Sequence, residues 1–147
     1  MGKSRKGVFG LSMDILAYEY ILQGLKDYNN QLGSPYGNVI VPYPTTDTTY
    51  PHTVLAEIRN VSNASYDTCY DRVASVGYRT DIYAKTKGNV TKQIIARKIA
   101  QEVDNYLANI GLRRVSFNVS ELENNGSIYH IIMTHSGNLH ENRRKLI

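Results

Sequence analysis

The chain has no tryptophan, two phenylalanines and a single cysteine in 147 residues. One cysteine builds neither a disulfide framework nor a paired-cysteine metal motif. It fits a reducing compartment such as a cytoplasm. Cys69 stands in a polar stretch without a neighbouring base to activate it, which disfavours a nucleophile. No apolar run approaches the roughly 20 residues that span a bilayer, and the first residues lack the apolar segment of a signal peptide, so no membrane partner is expected. The glycines are scattered, giving no phosphate-binding loop, and no Gly-x-Ser-x-Gly elbow occurs. These absences point to a protein that is not an enzyme, with no catalytic residue, cofactor or metal. Proline is also scarce, and all four (Pro35, Pro42, Pro44, Pro51) fall in one segment.

Tyrosine is abundant, at twelve residues. Its apolar body and polar tip suit both strands and interfaces, and composition does not choose between them. The net charge of +4 is unevenly placed. Residues 1–6 carry +3 and residues 140–147 carry +2, which leaves the body between them at −1. Short basic ends either solubilise the chain or touch nucleic acid or an acidic partner. The length favours one domain over 1–147, with flexible basic tails at 1–10 and 137–147.

Hydrophobic periodicity supplies the elements. Ile15, Tyr18, Leu22 and Leu25 mark a helix from about 13 to 29. Residues 30–52 hold the prolines and form a long loop, with Asn38–Val41 as the one possible short strand; it wraps its own domain or meets a partner. A strand follows at Thr53–Arg59, with Val54, Ala56 and Ile58 inward and Leu55 on the opposite face. Residues 60–73 are a second long loop, the connection of a hairpin into Ala74–Lys85. Along that strand Val76, Tyr78, Ile82 and Ala84 share one face, and Gly77, Arg79, Asp81 and Tyr83 the other. From Thr91 the period becomes helical: Ile95, Ile99, Val103, Tyr106 and Ile110, widened by Ala96, Ala100 and Leu107. Gly111 sits where a left-handed cap favours glycine. Val115, Phe117 and Val119 alternate in the next strand, Asn124-Asn125-Gly126 is a hairpin turn, and Tyr129–Met133 returns. The expected fold is α+β: a mainly antiparallel four-stranded sheet with two helices on one face, in the order α-β-β-α-β-β.

The chemistry-bearing residues are few. His130, His135 and His140 repeat every five, which sends alternate members to opposite faces of a strand and is poor for a shared metal. Arg79 and Asp81 share a face and form a surface pair or contact a neighbouring chain. Glu102 and Asp104 read as the solvated side of the second helix. Tyr78, Tyr83 or Tyr129 on a sheet face could stack nucleic-acid bases, but a body charge of −1 is wrong for phosphate.

Two stretches stand out: Tyr50-Pro51-His52-Thr53-Val54, which leads into a strand, and Val76-Gly77-Tyr78-Arg79-Thr80-Asp81-Ile82-Tyr83-Ala84-Lys85, which is followed by a helix. With the helix spacing Ala96, Ile99, Val103, Leu107, the Gly111-Leu112 break and two closing strands, they resemble the tail terminator (tail completion, tail-to-head joining) proteins of long-tailed bacteriophages. The resemblance covers about residues 50–135; the two long loops depart from it. It implies a structural virion protein, assembled in a bacterial host cytoplasm and placed in the tail or neck. Such a subunit forms a hexameric ring that caps the tail tube, stops its polymerisation and meets the head connector or stopper. DNA passes through its channel without sequence-specific binding. Under this reading the subunit or tube interface falls on Tyr43, Tyr50, Tyr66, Tyr70, Arg72, Arg79, Asp81 and Tyr83. Another phage neck, head completion or minor capsid protein, or a small nucleic-acid-binding module, stays open as an alternative.

Overall fold

The computed structural model describes residues 13–32, 38–39, 50–63, 73–121, 127–140 and 145–146. Its elements are α1 (Met13–Gln31), β1 (Asn38–Val39), β2 (His52–Asn63), β3 (Val73–Ala84), α2 (Lys92–Asn109), β4 (Arg113–Glu121), β5 (Tyr129–His140) and β6 (Lys145–Leu146). The four long strands pair antiparallel in the spatial order β2-β3-β5-β4, and both helices lie on one face. The expected α+β class and the order of the main elements are therefore present. The two-residue β1 pairs parallel with the start of β2, and β6 pairs with the end of β5.

The strands are longer than their hydrophobic patterns suggest. β2 and β3 pair from His52↔Tyr83 to Asn63↔Val73, so the connection between them shrinks to residues 64–72. β5 continues seven residues past Met133, and its last four, with β6, occupy part of the stretch expected as a tail. Cross-strand pairing sustains these polar ends, which a single-strand pattern does not reveal.

α2 is the better specified helix. Thr91 caps it, its hydroxyl accepting from the Ile94 amide at 3.4 Å. At the other end Gly111 adopts φ 101°. The Leu112 amide donates to the Leu107 carbonyl at 2.9 Å and the Gly111 amide to Ala108 at 3.1 Å, the paired bonds of a Schellman cap. Ala96, Ile99, Ala100, Val103 and Leu107 are buried on the sheet. On α1 the buried stripe is Ala17, Ile21 and Leu25, with Tyr18 and Leu22 flanking it. Tyr18 pins α1 to β2, its hydroxyl donating to the Leu55 carbonyl at 2.6 Å. The helices meet where the Tyr28 hydroxyl donates to Glu102 at 2.8 Å. Gly24 has a packing role here: a Cβ at that position would strike the Tyr106 side chain. Gly24→Leu should therefore cost about 1–3 kcal/mol by overpacking, measured as a fall in the urea midpoint.

The face of β2 is opposite to the expected one. Thr53, Leu55 and Glu57 stand opposite Ile82, Thr80 and Tyr78 of β3, and so face the helices. Leu55 is 1% exposed, whereas Ile58 is 55% exposed. The register shifts between Glu57 and Arg59, so Ile58 is the extra residue of a β-bulge. A second shift between Arg114 and Ser116 leaves Val115 exposed and puts Phe117 opposite core Met133. Thr80 is wholly buried on the helix side, and its hydroxyl has no hydrogen-bond partner. A buried, unsatisfied hydroxyl is costly, so Thr80→Val should stabilise the fold by about 1 kcal/mol, read from the same urea titration.

Candidate functional site

The second face of the sheet, away from the helices, carries an ordered row across three strands. Strand pairing places His52, Tyr83 and His130 side by side. Tyr83 stacks on His52 at 4.8 Å between centroids and on His130 at 4.2 Å, with the planes within 19° and 15° of parallel. Tyr50 extends the row against His52 at 5.0 Å, and the Lys85 ammonium lies 4.5 Å from the Tyr50 ring centroid.

Beside this row Asp81 joins two strands. His130 Nε2 lies 2.7 Å from Asp81 Oδ1. On the same strand the Arg79 guanidinium donates to both Asp81 oxygens, each at 3.0 Å. The Asp81 side chain is 11% exposed and that of Arg79 45%, so the pair runs from interior to surface. Burial pushes the Asp81 carboxyl up, but the hydrogen bonds from His130 and Arg79 outweigh it and the net direction is down. The Asp81 hydrogen bond, together with its charge, pushes the Arg79 guanidinium further up against its own burial.

Of the sequence candidates, Tyr50, Arg79, Asp81 and Tyr83 meet in this one array. Tyr43, Tyr66, Tyr70 and Arg72 lie outside the described residues. His52 and His130 were not among the candidates. The signal for His130 was its five-residue spacing from His135, which does put the two on opposite faces. His130 meets Asp81, and His135 meets α2. The tyrosines considered for base stacking are otherwise engaged: Tyr83 lies between two histidines, and Tyr78 and Tyr129 are buried.

On the helix side His135 Nε2 lies 2.8 Å from Asp104 Oδ1, and Arg114 Nη1 is 3.6 Å from Asp104 Oδ2. Asp104 and Glu102 are therefore half-buried bridging groups, where a solvated helix face was expected. Burial pushes His135 below its ordinary 6.5, and the Asp104 bond only partly opposes this. Both shifts have the same sign for stability. A group with a depressed folded pKa contributes above its unfolded value and loses that contribution as pH falls through the folded one. Stability should decline first below about pH 6.5, as unfolded His135 gains its proton. It should decline again below about pH 4, from Asp81. Urea titrations at pH 8, 6, 5 and 3.5 check this, and His135→Leu should flatten only the first decline.

Among the described residues no group of three His, Cys, Asp or Glu side chains could hold a metal ion. No described helix is long and apolar enough to cross a membrane. Beyond the array, the second face bears two exposed apolar side chains at the far end of β2, Ile58 and Val61 at 55% and 48%. Ile58 Cγ1 lies 3.6 Å from where a Cβ on Gly77 would stand, which fixes it on this face. The face thus combines a locked polar and aromatic patch with an apolar one. Compared with known proteins, the chain matches no protein-family model and no curated sequence.

Proposed function

We propose that this chain is a structural virion protein that works as a ring subunit at the end of a phage tail, capping the tube and joining it to the head connector. The observation that carries the reading is the second sheet face. Exposed Ile58 and Val61 stand on the same face as the Arg79–Asp81–His130 array. Exposed apolar side chains grouped beside ordered polar ones are what a protein contact surface requires. The order of elements agrees with the tail-terminator resemblance. A closed ring uses head-to-tail contacts, so each subunit needs two unlike patches. The nucleic-acid reading is less well supported, because Tyr83 has a histidine against each side of its ring.

Native mass measurement and negative-stain microscopy, on concentrated protein with and without tube protein, test the proposal. Sixfold rings with a central hole are the expected result. Ile58→Asp with Val61→Asp should abolish the rings while the unfolding midpoint stays within about 0.5 kcal/mol of the parent, as for other exposed sites. A wild-type chain that stays monomeric even with tube protein present would overturn the reading.

A further inference from the structure

We propose that the edge formed by α2 and β4 is a docking site for an extended acidic segment of a partner polypeptide. The segment adds as a strand to β4 and seats a carboxylate between Arg97 and Arg114. The surface lies on the helix side, and the proposal goes beyond the ring reading without depending on it.

Three observations converge there. First, β4 is the last long strand of the sheet, paired on one side only by β5 among the described residues. Natural edges are blocked by charges, prolines or bulges. At the opposite side of the sheet β2, beyond its two pairs with β1, has Glu57, Arg59 and the Ile58 bulge. On β4 the bulge ends at Ser116, and Ser116–Ser120 (Ser-Phe-Asn-Val-Ser) has no charge and no proline. Among the described residues nothing pairs with or covers these five residues of unguarded edge, and they can take an added strand.

Second, an open groove of about 360 Å³ lies beside this edge, lined by Arg97, Ala100, Gln101, Arg114 and Phe117. The Phe117 ring has the Arg97 guanidinium at 5.4 Å and the Arg114 guanidinium at 5.7 Å from its centroid. A strand added to β4 would place alternate side chains beside Phe117 and Val119, which share the helix-side face.

Third, the groove's cations are under-matched. Arg97 donates only to the Tyr129 hydroxyl, at 3.3 Å, and meets no carboxylate among the described residues. Arg114 stands 3.6 Å from Asp104, beyond a good hydrogen bond, and His135 holds the other oxygen of that carboxylate. Two guanidiniums against one shared carboxylate leave a positive site, and a planar carboxylate is the ligand such forks bind best. An apolar side chain two residues away from it would cover Val119, which is 40% exposed.

The probe is a capped seven-residue peptide of threonines with one glutamate and, two residues on, one valine. Calorimetric titration into the full chain should show binding that weakens with salt, and NMR shifts should concentrate in amides 116–120. Exchanging the peptide glutamate for glutamine, or making Arg97→Gln in the protein, should each weaken binding roughly tenfold or more, as expected for a lost charge-assisted bond. Arg97→Lys, which keeps charge without the fork, should recover part of it. Arg97 is exposed, so an unchanged unfolding midpoint shows that its variants remain folded. Equal binding of the glutamine peptide, or no binding at millimolar peptide, overturns the proposal. So does oligothymidylate binding in place of the peptide, which would assign the groove to phosphate.

Discussion

Leu55→Ala should lower stability by about 2–5 kcal/mol, the range for truncating a buried leucine, while Ile58→Ala should change it by no more than about 0.5 kcal/mol. The two residues are three apart on one strand and similar in size. They differ in the side of the sheet they occupy and in the bulge, which takes Ile58 out of register. Leu55 is 1% exposed and packs in the core, next to the point where Tyr18 bonds its carbonyl. Truncating it opens a cavity beneath α1 and loosens the docking of that helix. Ile58 projects from the bulge and loses little on truncation. Urea midpoints of both variants decide the matter. Comparable losses from the two would mean that β2 pairs in another register.

That contrast also marks where the sequence stops being readable. On β3 the alternation of Val76, Tyr78, Ile82 and Ala84 against Arg79, Asp81 and Tyr83 is clear because only one face is apolar, and the structure keeps it. α2 is legible for a similar reason: its stripe, its Thr91 cap and its Gly111 stop all agree. β2 offers Val54, Ala56 and Ile58 on one face against Thr53 and Leu55 on the other. Counting apolar residues favours the wrong side. The deciding fact is the register with β3 and the bulge that absorbs Ile58, and neither is local. The second bulge does the same for Val115.

The site was half legible for the same cause. Arg79 and Asp81 are two apart, so an extended strand alone brings them together. His130 is 49 residues from Asp81, and only the pairing of β3 with β5 places its ring on that carboxylate. His52 reaches Tyr83 through the pairing of β2 with β3. Histidine in isolation gave no reason to prefer one of these contacts over an ordinary core position.

Asp81→Ala should be the most damaging polar substitution, at about 3–5 kcal/mol, because removing one partner of a buried pair leaves the other uncompensated. The lower end is expected, since Arg79 is 45% exposed on its side chain and regains water when Asp81 is lost. His130 is 7% exposed on its side chain and does not. Its Nδ1 has no hydrogen-bond partner, so Asp81 supplies its one hydrogen bond. Stacked on Tyr83, the ring would then be buried with both nitrogens unsatisfied. His130→Leu in the parent should cost less, because Asp81 keeps both bonds from Arg79. Adding His130→Leu to Asp81→Ala should recover about 1–2 kcal/mol, since an apolar ring replacement removes the orphaned nitrogens. A double-mutant cycle in urea reads this coupling directly. Strict additivity of the two losses would show that the 2.7 Å contact does not organise this face. The cycle also bears on assembly. If the array holds the second face in shape for a neighbouring subunit, Asp81→Ala should weaken ring formation at temperatures where the monomer is still folded, and the double variant should restore part of it. Restored stability without restored assembly would assign the Arg79 guanidinium, which Asp81 holds in place and which is 45% exposed on its side chain, to the contact.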